Sequence, residues 1–150
     1  MSVTTQRPAS TQDAAAIAHL IHQLGYAVTA AEVAQTLAQH ALSQGDCVLL
    51  AVTATGQSVG CIGLHAMPLL HTAGRLGRIT ALVVDEGWRG QGIGSALLMT
   101  AQGWFEAAGC QRVEVTSADH REDAHRLYRR HGYARQGHRL LRDCADGASP

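Results

Sequence analysis

The chain has no excess of charge of either sign, because 12 lysine or arginine residues balance 12 aspartate or glutamate residues. A protein that attracts nucleic acid through its overall field needs a basic surface, so nucleic acid is not expected as a partner. No apolar run approaches the ~18 residues that cross a bilayer, and residues 1–5 lack the basic and apolar segments of a secretion signal. We therefore expect a cytoplasmic protein that does not enter a membrane.

Cysteine is sparse and scattered. The 4 cysteines occur singly in or beside apolar stretches, at positions 47, 61, 110 and 144, and no C-x-x-C pair is present. This spacing is not that of a disulfide framework or a zinc site, so we expect free thiols in a reducing compartment. His19 and His22 lie three apart on a predicted helix but have no third ligand nearby in sequence. No metal is expected.

The length of 150 residues fits one domain, which can bury about two-thirds of its unfolded surface without cross-links. We expect a single domain over residues 1–150. Within it, residues 143–150 carry Gly147, Ser149 and Pro150 and are expected to form a loose tail.

Apolar periodicity and capping signals predict a mixed order of helices and strands. Predicted strands cover residues 3–8, 47–53, 59–67, 78–84 and 112–116, with a terminal strand pair from Tyr133 onward around Gly137. Predicted helices run from Ser10 to Gly25, from Thr29 to about Leu42, from Ile93 to Ala108 and from Ala124 to His131. A hairpin turn is expected at residues 54–57 and a loop at residues 68–77.

The segment from Leu82 to Ser95 carries the strongest functional signal. An apolar, β-branched run leads into a glycine-rich turn, and an amphipathic helix follows. Gly90, Gly92 and Gly94 remove side chains where a ligand would touch the backbone, and the N–H groups of residues 90–95 become free donors at a helix N-terminus. Such a turn favours an anion, typically a phosphate.

Spacing decides which kind of phosphate site this is. A Walker loop needs Gly-Lys-[Ser/Thr], and the turn contains no lysine. A G-x-G-x-x-G dinucleotide fingerprint would require glycine where Ser95 or Leu97 stands. The remaining pattern, Arg89-x-x-Gly92-x-Gly94, resembles the pyrophosphate signature of the GCN5-related N-acetyltransferases, the GNAT superfamily.

A second segment is similar to a later motif of the same superfamily. Ala124-His125-Arg126-Leu127-Tyr128 lies on a predicted helix that ends at Gly132 and is followed by Tyr133, matching A-x-x-L-Y-x-x-x-G-[Phe/Tyr]. Many relatives have asparagine seven residues before the tyrosine, where this chain has Arg121. That departure removes one expected polar contact to the ligand.

The resemblance implies an α+β fold of α/β/α layers, with a mixed sheet of about six to seven strands flanked by about four helices. It implies acetyl-CoA as co-substrate and no metal, and it makes Tyr128 the general acid for the departing thiolate. The N–H groups of Leu82 and Val84 would face the thioester and the pantetheine arm. The ligand-binding residues it implies are Leu82, Val83, Val84, Arg89, Gly90, Gln91, Gly92, Ile93, Gly94, Ser95, Arg121, Ala124 and Tyr128. Arg126, Arg129 and Arg130 are further candidates for the nucleotide phosphate.

The acceptor and the general base stay open at this level. Many relatives place a glutamate on the strand before the turn, where this chain has Arg78 and Thr80. His65, Asp85, Glu86 and His120 are the substitutes, and each also has an ordinary structural explanation. The resemblance favours acetylation of a small-molecule amine. Acetylation of protein N-termini or lysines, and a non-catalytic acyl-CoA sensor, are the alternatives, and a homodimer is compatible with all of them.

Overall fold

The structure is a computed structural model that describes residues 4–117 and 121–144. Its strands are β1 (Thr4–Pro8), β2 (Asp46–Thr53), β3 (Ser58–Pro68), β4 (Arg75–Val84) and β5 (Cys110–Val115). Its α-helices are α1 (Ala14–His22), α2 (Ala30–Ala41), α3 (Ile93–Ala107) and α4 (Glu122–Arg130). Short 3-10 turns lie at Thr11–Asp13 and Glu86–Trp88.

The strands form one sheet in the order β1-β2-β3-β4-β5. The first four strands are antiparallel neighbours, whereas β5 runs parallel to β4 after the crossover through α3. The β4 to β5 pairing extends from Arg75 opposite Cys110 to Ile79 opposite Val115 and then stops. Beyond it, β4 continues to Val84 paired with β3 alone among the described residues. We call the resulting gap beside residues 80–84 the β4 cleft.

Two apolar cores lie on opposite faces of the sheet. On one face, α1 and α2 bury Leu50, Cys61 and Val83. On the other face, α3 and α4 pack over Ile62, Ile79 and their neighbours, with Phe105 as the largest fully buried side chain. Alternate residues of β2 therefore serve opposite cores, as a sheet covered on both faces requires, and bulges interrupt this alternation in β3 and β4. The layered α/β/α arrangement predicted from the sequence is confirmed.

Local signals in the sequence placed the start of α2 and the ends of α3 and α4 to within one residue, whereas the helix predicted from Ser10 to Gly25 is a 3-10 turn followed by the shorter α1. At the start of α2, the Thr29 hydroxyl accepts from the Glu32 N–H at 3.1 Å, and the Glu32 carboxylate accepts from the Thr29 N–H at 3.2 Å. Gly109 and Gly132 follow α3 and α4 with φ of 82° and 89°. These positive angles favour glycine just beyond a helix C-terminus. The predicted hairpin between β2 and β3 is also confirmed.

The predicted count of six to seven strands was too high, because the described residues form a five-stranded sheet. The expected terminal strand pair from Tyr133 around Gly137 is absent from the described part of the chain, where 133–144 contains no strand. Leu140 and Leu141 are 93% and 74% exposed. Adjacent leucines cannot both face one side of a strand, and no neighbouring element buries either of them.

Other boundaries shifted by a few residues. β4 begins at Arg75 rather than Arg78, since it continues the hairpin with β3 as far as Pro68 opposite Arg75. The loop predicted over residues 68–77 is correspondingly shorter. β5 begins at Cys110, two residues before the predicted start, and α2 ends before Leu42, which is 91% exposed. Val3 and most of the predicted tail lie outside the described residues, within which no helix is long and apolar enough to cross a bilayer.

A carboxylate fixes the connection from β1 to α1. Asp13 accepts from both terminal nitrogens of Arg7, at 2.8 and 2.9 Å, and from the Ser10 backbone N–H at 2.8 Å. The hydrogen bond from Arg7, opposed by burial and assisted by Ser10, lowers the pKa of Asp13 to about 2. The ionised form is therefore bound more strongly in the folded state than in the unfolded chain.

Replacing Asp13 with asparagine should lower the free energy of unfolding at pH 7 by about 1–2 kcal/mol, because a capping and charge-assisted acceptor is lost. The depressed pKa stabilises the fold above the ordinary pKa of 3.8, and this stabilisation disappears as the pH falls toward about 2. Urea titrations should therefore show that the difference in free energy of unfolding between the wild type and the variant decreases as the pH falls over that range. Asp123→Asn is the control, since its exposed pair with Arg126 should contribute under about 1 kcal/mol. Equal losses in both variants would contradict the capping role.

Candidate active site

The turn between β4 and α3 is shaped by two left-handed glycines. Gly90 and Gly92 have φ of 78° and 82°, a conformation that side chains disfavour. A Cβ added at either position would meet no protein atom within 4 Å. Glycine is thus favoured there by backbone geometry, and the space above the turn is open.

The backbone donors of this turn are largely unpaired. α3 begins at Ile93 with Gly92 as its N-cap, and no side chain caps it. The Ala96 N–H bonds the Gly92 carbonyl at 3.0 Å, but the N–H groups from Gly90 to Ser95 find no acceptor within the described residues. We call these N–H groups the anion cradle. Together with the positive end of the helix dipole, they favour a phosphate group.

The third glycine has a different role. Gly94 lies in the first turn of α3, where a Cβ would come 3.2 Å from Leu127 and 3.6 Å from Val84. Its missing side chain lets α3 approach both α4 and the end of β4. The Ser95 hydroxyl then meets the Nε2 of His131 at 2.5 Å. His131 was not among the predicted site residues, although its position three residues after Tyr128 placed it on the same helical stripe.

The β4 cleft continues from the anion cradle along the edge of β4. The Asp85 N–H donates to the Val59 carbonyl of β3 at 2.8 Å. Because backbone groups alternate along a strand, the N–H groups of Leu82 and Val84 point the opposite way, into the cleft. The N–H of Val83 faces β3, and its side chain lies in the core under α1. The predicted donors of Leu82 and Val84 therefore line the cleft.

The other residues in and beside this turn support its position. The Nε of Arg89 donates to the Val84 carbonyl at 3.0 Å, so this side chain braces the end of β4 and leaves its terminal nitrogens exposed. Trp88 packs against the core, and Ile93 is buried beneath the first turn of α3. Gln91 is half-buried within the turn.

Tyr128 lies on α4 in the core that α3 and α4 share, with 8% of its surface exposed. Its ring meets the Tyr133 ring edge to face, with centroids 5.6 Å apart. Burial raises the pKa of Tyr128 to about 12, the neighbouring Tyr133 adds to this, and the charge of Arg121 opposes it. The phenol therefore keeps its proton throughout the neutral range.

Arg121 is brought near Tyr128, but its hydrogen bond is to a different element. Its terminal nitrogen donates to the Leu24 carbonyl after α1, which joins the start of α4 to the loop between α1 and α2. Ala124 is half-buried and packs on the same core as Tyr128. Of the other candidate cations, Arg126 pairs with Asp123, and Arg129 and Arg130 are exposed.

The four candidate bases have different surroundings. Asp85 accepts from the Gly87 N–H at 2.9 Å and from Gln23 at 3.4 Å, so it caps the short turn before the cradle, and Glu86 is exposed beside it. His65 meets Asp46 of β2, with Nδ1 2.7 Å from Oδ1. His120 lies outside the described residues. Sequence reasoning missed Asp46, because its contact with His65 crosses between strands.

No group of three or more histidine, cysteine, aspartate or glutamate side chains could hold a metal ion within the described ranges. The cysteines described there are free thiols. Burial raises the pKa of the Cys61 thiol to about 12. This side chain is therefore a neutral part of the core under α1.

The chain matches known proteins over most of its length. The Acetyltransferase (GNAT) family matches residues 15–133. The aminoglycoside N(6')-acetyltransferase type 1 of Stenotrophomonas maltophilia is 31% identical over 135 residues, covering 88% of this chain and 87% of that enzyme. The aminoalkylphosphonate N-acetyltransferase of Salmonella typhimurium is 45% identical over 83 residues, which are 55% of this chain. That match spans only 53% of the Salmonella enzyme's length.

The fold is found among solved structures as well. An acetyltransferase of Trypanosoma brucei superposes with a TM-score of 0.79 at 23% identity, covering 95% of this chain and all of that one. At this identity the likeness establishes the architecture alone.

Gly92→Ala should weaken the binding of acetyl-CoA by about 10-fold or more, because the new methyl group enters the space above the anion cradle and strains its backbone. Calorimetric titration with acetyl-CoA measures the effect. The matched control is Gly56→Ala in the hairpin between β2 and β3, where φ is 90° and a Cβ again meets nothing within 4 Å. Both variants should lose about 1 kcal/mol of stability. An unchanged affinity in Gly92→Ala would contradict the ligand role of the cradle.

Proposed function

We propose, from the premise that this chain belongs to the GNAT acetyltransferase family, that it transfers the acetyl group of acetyl-CoA to the primary amine of a small molecule. The observation that carries the proposal is the continuity of the anion cradle with the β4 cleft. One backbone surface offers unpaired donors first at a helix N-terminus and then along an open strand edge. That sequence of donors suits a ligand with a pyrophosphate followed by an amide-containing arm.

The residues that would hold acetyl-CoA fall into two groups. N–H groups of the anion cradle suit the pyrophosphate, with Arg89 at its edge supplying a nearby positive charge. The N–H groups of Leu82 and Val84 suit the amides of the pantetheine arm and the thioester carbonyl. Donors fixed in advance at that carbonyl stabilise the oxyanion that forms during acyl transfer.

Acetyl transfer needs a proton donor for the departing sulfur. Tyr128 suits this role, because it stays protonated at neutral pH and lies in the core beside the β4 cleft together with Leu82 and Val84. With a pKa of about 12 it is a weaker acid than a free thiol at about 8.5. Proton transfer is therefore expected to accompany C–S cleavage, and the charge of Arg121 favours the transient phenolate.

The acceptor is proposed to be a small molecule on the strength of two relatives. Both are named as enzymes that acetylate small amines, an aminoglycoside and an aminoalkylphosphonate. The loop between α1 and α2 contacts the residues that follow β4 through Gln23 and the start of α4 through Leu24, and it would help to shape the acceptor pocket. Acetylation of protein N-termini or lysines is the alternative within the same chemistry.

The proposal is tested by combining binding with turnover. Acetyl-CoA is titrated by calorimetry, and the release of free CoA thiol is then followed with an aminoalkylphosphonate, an aminoglycoside and a peptide with a free N-terminus. Amine-dependent thiol release establishes the transferase and its acceptor class. Tight binding without release from any amine would instead favour a non-catalytic acyl-CoA sensor, and a lack of binding would refute both.

Tyr128→Phe should lower kcat by about 10- to 10³-fold while the affinity for acetyl-CoA stays nearly unchanged, since the ring is kept and only the acidic proton is lost. Steady-state thiol release measures kcat, and calorimetry measures the affinity. Tyr133→Phe provides a control, because it removes a hydroxyl from the ring that packs against Tyr128. A Tyr128→Phe enzyme with wild-type kcat would exclude the acid role.

A further inference from the structure

We propose that His65, oriented by Asp46, is the base that takes the proton from the acceptor amine. This inference rests on the proposed function, and it assigns a role that the cradle, the cleft and Tyr128 leave unfilled. A primary alkylamine with a pKa near ~10 is almost entirely protonated at neutral pH, so it must lose a proton before it can attack the thioester.

The pair has the geometry of an oriented histidine. Nδ1 of His65 lies 2.7 Å from Oδ1 of Asp46, whose side chain is 18% exposed, while the His65 side chain is 36% exposed. Burial opposes ionisation of Asp46, but hydrogen bonds from Ser43 and His65 and the charges of His65 and His40 together lower its pKa. The carboxylate therefore accepts the Nδ1 proton, which leaves Nε2 as the free basic nitrogen.

His65 lies at the closed end of the β4 cleft. The cleft ends where β5 rejoins β4, at Ile79 opposite Val115, and His65 is opposite Arg78, the residue before Ile79. A ligand with its pyrophosphate in the anion cradle enters the cleft beyond Val84 and extends toward this closed end. Its reactive terminus therefore lies nearer to His65 than to the cradle.

The free face of the sheet at this point is the one that carries His65. Apolar side chains under α3 and α4, including Ile79 and Leu82, fill the opposite face. On the face of the sheet that carries His65, three residues lie between the apolar core under α1 and the cross-strand pair of His65 and Arg78. They are Gly63, Thr80 and Ala81. The Thr80 hydroxyl lies where a Cβ of Gly63 would be, so Gly63 is buried beneath Thr80, which is itself exposed on this face. The amine can thus approach from the side opposite Tyr128.

The other described candidates lie at the wrong end. Asp85 and Glu86 follow β4 and flank the anion cradle, and the Asp85 carboxylate already accepts from Gly87 and Gln23. The charged and titratable groups beside His65 are its strand neighbours Asp46 and Arg78, together with His40 from α2, whose Nε2 lies 3.9 Å from Oδ1 of Asp46. Arg78 is itself paired with Glu114 of β5, its Nε 2.6 Å from Oε1.

The chemistry balances when nitrogen loses two protons and sulfur gains one. Nε2 of His65 takes one proton from the ammonium group and later releases it to solvent. The amine lone pair then forms the C–N bond at the thioester carbonyl, and the C–S bond breaks with its electron pair leaving on sulfur. His65 takes the second proton from the nitrogen of the new bond and passes it to solvent, while Tyr128 protonates the sulfur and is reprotonated from solvent, which yields a neutral amide and free CoA thiol.

His65→Gln provides the test, with the alkylamine that the wild type acetylates best compared against hydroxylamine, a nucleophile that is already unprotonated at pH 7. Turnover of the alkylamine should fall by about 10²-fold or more, and turnover of hydroxylamine by less than about 3-fold. Acetyl-CoA affinity should be unchanged, which also shows that the variant is folded. Equal losses with both nucleophiles, or no loss with either, would overturn the assignment.

Two further measurements distinguish a catalytic role of His65 as a base from a purely structural role. In the wild type, kcat/KM for the alkylamine should rise with pH through the neutral range, and the His65→Gln variant should lack this limb. Asp46→Asn should reduce alkylamine turnover with the same selectivity over hydroxylamine, whereas His138→Gln at an exposed site should change neither rate. An unaltered pH limb in His65→Gln would refute the role even if the rate falls. A wild type that acetylates no amine would refute the proposed function itself.

Discussion

The site depends on one limit in the sheet, which is the end of the β4 to β5 pairing at Ile79 and Val115. β5 is a short strand that runs parallel to β4, and β4 continues beyond it to Val84. Backbone donors at a sheet edge need partners, and a strand that outlasts its neighbour leaves a row of them available. The same strand then leads directly into the anion cradle, so one continuous stretch of backbone offers donors from the sheet edge to the helix N-terminus.

Close packing holds the two halves of the site in fixed positions. Gly94 allows α3 to approach Leu127 of α4, and the Ser95 to His131 hydrogen bond joins the same helices beside the cradle. α4 also carries Tyr128, so the packing that fixes the cradle fixes the phenol. Arg121 connects the start of α4 to the loop after α1. The proposed acid lies in the core under α3 and α4, and the proposed base lies on the opposite face of the same sheet.

Much of the fold could be predicted because its signals are local. The capping box joins Thr29 and Glu32, which are three residues apart, and the glycines after α3 and α4 end the helices that directly precede them. The terminal strand pair was predicted wrongly because its formation depends on residues distant in the sequence. Strand formation needs a partner edge and a face to bury, and neither can be recognised in the sequence around Gly137.

The sequence by itself determined the glycine turn, the helix that follows it and the position of Tyr128 within its motif, since left-handed backbone and helical periodicity are properties of neighbouring residues. Only the tertiary structure decided where β5 stops, which N–H groups of β4 face the cleft and which carboxylate meets His65. Asp46 and His65 are 19 residues apart and touch only because the register of β2 and β3 places them side by side. Such register is fixed by the packing of both faces of the sheet, and no short segment of the chain contains it.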